Sequence, residues 1–248
     1  GSQAIGGVVN VQTIAPTETL AVNARAEYGS HDTAQAYGNI SGKTGIVSGS
    51  VGAGYYRTDG ISALAAGTEK DGYENFSGNG KLLVEFSPSF ALDLRGYYNK
   101  GRVEFDDPFG ATPDTFPETE NEQFVGYVGL NHSLVDDRWK GRLSFSHTDL
   151  TRTGTEPGVP FSFNENRLRG KVDRYAYDGS FDVAEIATIV FGAAHEETFA
   201  STFFPAGGGS GSAPDKADTR VTGGYGQLTL RPVAGLSLTG GVRHDDYS

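Results

Sequence analysis

The sequence predicts an all-β fold in which antiparallel strands follow one another up and down, as in a large transmembrane β-barrel. Apolar and polar residues alternate along most of the chain, which is the pattern of strands with two different faces. The links between these stretches are alternately short and long, as in an outer-membrane barrel. One face is small and apolar and the other is polar, so we expect a lipid-facing exterior around a wet lumen.

About eleven stretches alternate in this way, at about the ten-residue length that a tilted membrane strand needs. In the first stretch, Leu20, Val22 and Ala24 fall on one face, and Asn23 and Arg25 fall on the other. The predicted strands lie at residues 20–28, 34–41, 47–56, 75–86, 92–98, 124–134, 139–147, 168–183, 186–198, 224–230 and 236–242.

The links carry the turn chemistry and the polarity expected at the two ends of such a barrel. Short, hairpin-sized turns lie at residues 42–45, 87–89, 135–138, 183–185 and 232–235, and all but 183–185 contain Gly, Pro, Ser or Asp. Longer polar loops lie at residues 59–73, 106–122, 153–165 and 201–218. We therefore expect the tight turns on the periplasmic side and the long loops outside the cell.

Several aromatic residues stand near the ends of the predicted strands. They are Tyr28, Tyr55, Phe86 and Trp139. Such residues form the girdles at the two interfaces of a membrane barrel, but aromatic residues also favour strands in general. The sequence leaves both explanations open for each residue taken alone.

Composition excludes several other classes of protein. The absence of Cys excludes a disulfide framework and Cys-based zinc sites. A formal net charge of −11 argues against a nucleic-acid partner, since phosphates need Lys and Arg. The chain has no Met, no signal peptide, and an end within an alternating stretch, so we expect a fragment of a longer protein.

The first 14 residues, GSQAIGGVVNVQTI, do not continue the alternation. They resemble the motif that closes the plug domain of TonB-dependent outer-membrane receptors and leads into the first barrel strand. The residues that carry this resemblance are Ala4, Ile5, Gly6, Gly7, Val8 and Asn10. Residues 71–75 and 225–228 are similar to the cobalamin and siderophore branch of this family, and residues 243–248 resemble a strand end that is common midway through such barrels.

The resemblance implies a plugged barrel of about 22 strands, of which this chain would be a truncated part. Residues 1–16 would be the C-terminal end of the plug domain, and residues 17–248 the N-terminal half of the barrel. It also implies active uptake of cobalamin or a ferric siderophore across the outer membrane of a Gram-negative bacterium. The implied partners are the TonB energy-transducing complex, that ligand and membrane lipid, and no cofactor is required.

Aromatic residues in the long loops are candidates for contact with a large, partly apolar ligand. They are Tyr73, Phe105, Phe109, Phe116, Phe161, Phe163, Phe203 and Phe204. Arginines on the strands are expected to face inward, where they would meet plug carboxylates, meet anionic ligand groups, or only solvate the lumen. They are Arg25, Arg95, Arg142, Arg167 and Arg169.

The resemblance also suggests calcium in the outer loops, since cobalamin-type receptors bind it there with aspartates. Glu69, Asp71, Asp106 and Asp107 are the candidate ligands, and carboxylate oxygens suit this ion. The loop at residues 153–165 is poor in Asp, which speaks against a complete site. A solvated acidic loop is the alternative.

Three other functions remain as alternatives. A passive porin would share the barrel but not the plug motif. A surface-exposed β-rich binding protein would bury its apolar face between two sheets. A barrel enzyme would need a catalytic group near His147 or His195, but no hydrolase or nucleotide-binding motif is present. We therefore expect a protein that is not an enzyme.

Overall fold

The computed structural model describes residues 16–62, 70–106, 117–155, 165–204 and 215–248. These residues form one sheet of 11 strands in the order β1 to β11, and every neighbouring pair is antiparallel. The strands are β1 Ala21–Tyr28, β2 Ala34–Thr44, β3 Val47–Thr58, β4 Tyr73–Ser87, β5 Phe90–Glu104, β6 Glu118–Leu134, β7 Trp139–Thr155, β8 Glu165–Ala184, β9 Ala187–Phe203, β10 Asp215–Val233 and β11 Leu236–Tyr247. The predicted up-and-down antiparallel fold is confirmed.

The tight turns lie at one end of the sheet. The links at residues 45–46, 88–89, 185–186 and 234–235 hold two residues each, so the strands that they join pair directly. Gly45 and Gly235 have φ values of 55° and 83°, a region that glycine reaches without steric cost. The β6–β7 turn is different, since Val135 adopts a φ of 56° there.

Several strands extend further from the tight turns than the sequence predicted. Strand β6 begins at Glu118 and β10 at Asp215, within stretches that were predicted to be loops. The reason lies in the cross-strand pairs at this end, such as Lys100 opposite Glu122 and Arg102 opposite Glu120. Both faces are polar here, so the alternation disappears from the sequence although the strands remain paired.

The sheet has no packed apolar core within the described residues. Apart from Pro117, which precedes β6, Ala176 at 8% exposure is the only buried apolar residue among them, and no large side chain is fully buried. Large apolar side chains instead stand exposed, most of them on one face, as Leu20 and Val242 do at 73% and 79%. No helix of the described part is long and apolar enough to span a membrane.

The predicted domain boundary after residue 16 stays a prediction. The plug-like motif lies outside the described residues, which begin at Pro16. The described part leads into β1 with Thr17, whose hydroxyl lies 2.9 Å from that of Ser41 on β2.

Candidate functional site

The polar face of the sheet is an aligned wall of hydrogen-bonding side chains. Residues that lie opposite one another on neighbouring strands point to the same face, so polar residues meet polar residues. Asn23 donates to Asn39 at 3.1 Å, and Asn75 and Asn99 exchange amide hydrogen bonds at 3.3 and 3.1 Å. A surface of this kind offers many donors and acceptors to whatever lies against it.

The most buried charge on this wall is Asp93 in β5, at 3% exposure. The Arg95 guanidinium donates to both oxygens of its carboxylate, at 3.0 and 2.5 Å. The same guanidinium lies over the Tyr127 ring, 5.0 Å from the ring centroid. Asp93 and Tyr127 together hold Arg95 against the wall. The sequence predicted that Arg95 faces inward, but not these two contacts.

Two tyrosines pack together on the polar face at the end opposite the tight turns. The rings of Tyr56 and Tyr73 lie 5.7 Å apart, centroid to centroid, at an interplanar angle of 50°. Tyr73 was a predicted ligand contact, and Tyr56 was not. The alternation places Tyr56 on the same face as Ser48 and Ser50, so face position could have found it.

The other predicted ligand aromatics do not converge with Tyr73. Phe105 follows the end of β5, and its amide donates to the Pro117 carbonyl at 3.0 Å. Phe203 lies opposite Arg167 on the outer face, and Phe204 stands 62% exposed just beyond β9. Phe109, Phe116, Phe161 and Phe163 lie outside the described residues.

The candidate calcium ligands are only partly described. Glu69 and Asp107 lie outside the described residues. The Asp106 carboxylate accepts from Ser62 at 3.4 Å, and Asp71 donates its amide to the Ile61 carbonyl at 3.4 Å. The described residues contain no group of three or more possible ligands that could hold a metal ion. The calcium site therefore stays a prediction.

The inward position predicted for Arg167 and Arg169 is wrong. Both lie on the face that carries Tyr175 and Tyr177 further along β8, which is the outer face. Arg169 donates to Asp149 of β7 there, at 2.9 Å. The prediction failed because the outer face of β8 is charged here, while its inner face carries Leu168 and Gly170, so polarity no longer identifies the inner face. Arg25, Arg95 and Arg142 do lie on the polar face, opposite Tyr37, Tyr127 and Asn131.

The outer face carries a continuous apolar belt. On β4 it runs through alternate residues from Phe76 to Phe86, which at about 3.3 Å per residue and a tilt near 40° corresponds to roughly 25 Å of height. Gly80, Gly96 and Gly126 lie side by side in the middle of the belt. This height matches the apolar band of outer-membrane barrels.

Tyrosines mark the edge of the belt that is remote from the tight turns. The hydroxyl of Tyr55 donates to Glu74 at 2.9 Å, and that of Tyr98 donates to Glu122 at 3.0 Å. The ring of each tyrosine thus lies in the belt while its hydroxyl reaches the first charged residue beyond. This is the position of an aromatic girdle at a membrane interface.

A second aromatic cluster lies near the tight turns. The indole of Trp139 donates to the Tyr177 hydroxyl at 3.0 Å, and the His132 ring stacks on Tyr177 with centroids 5.9 Å apart. Trp139 had been predicted as a girdle residue, while His132 and Tyr177 had not. His132 and Tyr177 join the cluster through contacts across three strands, which the pattern within one strand does not reveal.

Beyond the belt, ion pairs form a charged rim around the outer face. Lys100 pairs with Glu120 at 3.0 Å, and Arg220 pairs with Glu197 at 3.2 Å. In the adjoining link, Asp59 accepts from Lys70 and from Arg57, each at 3.2 Å. The hydrogen bond from Lys70, with a further one from Arg57, holds the pKa of Asp59 below its ordinary value.

The two histidines considered for catalysis face outward. His147 Nδ1 lies 2.6 Å from the Asp173 carboxylate, and His195 Nδ1 lies 2.7 Å from the Thr222 hydroxyl. Both sit at the boundary between the belt and the rim, away from the polar wall.

The chain is similar to known proteins of one family. The family model described as TonB dependent receptor-like, beta-barrel matches residues 12–248. The vitamin B12 transporter BtuB of Photobacterium profundum is 29% identical over 143 residues, which are 56% of this chain and 23% of that protein.

Solved structures with the same fold support this similarity. The ferripyoverdine receptor of Pseudomonas aeruginosa matches with a TM-score of 0.69 at 14% identity, over 94% of this chain and 38% of that one. The siderophore receptor PirA of Acinetobacter baumannii matches at 0.69 and 13%, over 95% and 40%. The alcaligin receptor FauA of Bordetella pertussis matches at 0.67 and 19%, over 94% and 37%. The chain thus spans well under half the length of each of these proteins.

Proposed function

We propose, because the chain belongs to the TonB-dependent receptor β-barrel family, that it forms part of the wall of an outer-membrane transporter for a large, scarce nutrient. The observation that carries the proposal is the two-faced sheet of 11 strands. Its apolar belt suits contact with lipid, while its polar wall suits a lumen filled by water, ligand or a plug. We place the protein in the outer membrane of a Gram-negative bacterium for the same reason.

The ligand would enter at the end of the sheet that is remote from the tight turns. Long links leave the strands there, and the Tyr56–Tyr73 pair faces the polar side. Energy from the inner membrane, delivered by the TonB complex to the plug, would then open a path along the wall. The residues of this chain would bind and guide the ligand, and no chemical step is needed.

Cobalamin is the first choice of ligand, and a ferric siderophore is the second. The similar protein from Photobacterium profundum is named for vitamin B12, which favours cobalamin. The similar structures carry the names of siderophore receptors, which favours the second choice. Both ligands are large and partly apolar, and both suit an entrance with aromatic side chains.

The proposal predicts energy-dependent uptake. Cells that produce the native protein should accumulate labelled cobalamin or labelled ferric siderophore, whereas a deletion strain should not. Dissipating the proton gradient or deleting TonB should abolish the accumulation. Uptake that persists without TonB would show a passive porin and would contradict the proposal.

Tyr73 provides a test of the entrance in the same cells. Tyr73→Ala should weaken ligand binding by about tenfold, because about 1.4 kcal/mol of aromatic contact is lost. Tyr28→Ala is the matched control, since Tyr28 lies at the same end of the sheet on the outer face, opposite Ala34. If the two substitutions weakened binding equally, Tyr73 would not be a ligand contact at the entrance.

A further inference from the structure

A patch of aliphatic residues and glycine interrupts the polar wall on four neighbouring strands, β6 to β9. This apolar island consists of Val125, Leu150, Leu168, Gly170, Val172 and Ala200. Gly170 is its centre, with Leu150 directly opposite on one side and Ala200 on the other. At about 4.8 Å between strands and 3.3 Å per residue, the island measures roughly 14 by 13 Å.

The island lies within two cross-strand rows that carry no charge from β5 to β10. One row is Asn99, Gln123, Leu150, Gly170, Ala200 and Ala217, and the other is Tyr97, Val125, Thr148, Val172, Thr198 and Thr219. Charges stand at the border of the island. Arg152 lies opposite Leu168, and Arg174 pairs with Glu196 at 3.2 Å.

The outer face behind the island is charged instead. Lys171, which stands between Gly170 and Val172 in β8, pairs with Asp149 of β7 at 3.4 Å. Arg169 pairs with the same carboxylate at 2.9 Å. The wall is therefore reversed relative to the belt, with charges outside and aliphatic side chains inside. Lipid cannot cover this inner face, where Leu168 is 42% exposed, so another apolar surface is needed to remove it from water.

The island continues the proposed entrance for the ligand. Leu168 of β8 and Tyr56 of β3 belong to one cross-strand row, five strands apart, and Tyr56 packs on Tyr73. The space above the centre of the island is open, because a Cβ atom at Gly170 would meet nothing within 4 Å. A large ligand that enters at the tyrosine pair would therefore pass over the island.

We propose that the island selects a ligand that is uncharged and apolar over the face that it turns to this wall, an inference that rests on the proposed function and specifies its substrate class. The dimensions of the island suit one face of a large macrocycle. An anionic oxygen placed on the island would lose its hydration and gain no donor in return. Cobalamin and neutral ferric hydroxamates share the required chemistry, whereas anionic ferric catecholates do not.

Gly170 allows the charge of the island to be changed without removing a contact. The native protein, purified from outer membranes in detergent, would be compared with Gly170→Glu, Gly170→Lys and the uncharged control Gly170→Gln. The probes are cobalamin, a neutral ferric trihydroxamate and an anionic ferric tris-catecholate. The native protein should bind one of the neutral probes about tenfold or more tightly than the anionic probe. Both charged variants should bind that neutral probe about tenfold more weakly than Gly170→Gln does.

A second set of variants changes the polarity of the island but keeps its shape. The double variant Leu168→Asn, Val172→Thr replaces two aliphatic side chains with polar ones of similar size, and it should bind the neutral probe about tenfold more weakly. Thr198→Val, directly opposite Val172, is the reverse exchange and should bind at least as tightly as the native protein. Urea unfolding and the mobility of unheated samples in gels would establish that each variant folds.

The outcomes separate this inference from the proposed function. Tighter binding of the anionic probe by the native protein, or failure of all three probes to bind, would overturn the selection of an uncharged ligand. Unchanged binding of the neutral probe by the charged variants would show that the ligand does not touch the island. Lower stability of the double variant with unchanged binding would show that protein covers the island. Absence of TonB-dependent uptake would instead overturn the proposed function.

Discussion

At the scale of single residues, one tyrosine on the polar wall depends on a glycine of the next strand. Tyr225 of β10, Gly192 of β9 and Asp178 of β8 lie side by side. The Tyr225 ring crosses over Gly192, and its hydroxyl donates to Asp178 at 2.8 Å. The hydrogen bond therefore spans three strands, and it exists only because the middle position has no side chain.

A substitution at Gly192 tests this arrangement. A Cβ atom there would lie 2.8 Å from the Tyr177 carbonyl oxygen and 2.5 Å from the Tyr225 ring, and backbone cannot move away cheaply. Gly192→Ala should lower the free energy of unfolding by about 1–3 kcal/mol. Urea unfolding of the native protein in detergent, followed by the mobility of unheated samples in gels, would measure it.

Gly170 is the matched control on the polar face of β8. A Cβ atom there meets nothing within 4 Å, and Ala restricts the unfolded chain more than Gly does. Gly170→Ala should therefore leave the free energy of unfolding unchanged or raise it by about 0.5–1 kcal/mol. Equal destabilisation by both substitutions would mean that Tyr225 does not pack over Gly192.

At the scale of elements, the β6–β7 turn differs from the other tight turns. Val135, Asp136 and Asp137 have φ values of 56°, 52° and 63° in succession. Asp tolerates this left-handed region better than most residues, whereas a β-branched residue is strained in it. The strain is confined to one side chain, which is 54% exposed.

Replacing this valine should stabilise the turn. Val135→Asn should raise the free energy of unfolding by about 1 kcal/mol, because Asn adopts the left-handed region at lower cost. Val183→Asn is the control: it makes the same chemical change at another exposed strand end without a positive φ, and it should give no gain. If the urea midpoint of Val135→Asn did not rise above that of the native protein, the proposed strain at Val135 would be absent.

The extension of the strands beyond the belt also belongs to this scale. Arg102 pairs with Glu118 and with Glu104, the latter at 3.4 Å, so ion pairs continue the contacts that apolar residues make lower down. Exposed pairs of this kind contribute little individually. Their importance is positional, because they keep the strands paired beyond the belt.

At the scale of the whole molecule, the protein is organised by its two faces rather than by a core. The apolar belt is the face that suits contact with lipid, and the polar wall is the face that suits the lumen. Leu82 and Leu83 are adjacent in β4, but Leu82 lies opposite Leu94 on the belt, and Leu83 lies opposite Asp93 on the polar wall. One step along the chain therefore exchanges one environment for the other.

This pair tests the orientation of the entire sheet. Leu82→Arg should cost about 2–4 kcal/mol of stability, because a charge on the lipid face within the belt is poorly solvated. Leu83→Arg should cost much less, since the polar wall already holds Arg95 and Lys81. The fraction of folded protein recovered from outer membranes would measure both effects. A larger loss for Leu83→Arg than for Leu82→Arg would show that the two faces are assigned the wrong way round.

The candidate site could be predicted only in part. Tyr73 was recognised from its loop, but its partner Tyr56 and the buried Asp93–Arg95 pair come from contacts between strands. Arg167 and Arg169 were placed on the wrong face, because polarity distinguishes the faces only where one of them meets lipid. The plug-like motif and several loop aromatics lie outside the described residues, so those predictions remain as they were.

The sequence alone determined the number, order and direction of the strands, because alternation is a local property that each strand carries by itself. It also determined which face is apolar along the belt. Only the tertiary structure decided the register, and with it the Tyr225–Asp178 bond across Gly192 and the extent of β6 and β10. The physical reason is that register arises from pairing between strands, which the alternation within a single strand does not record.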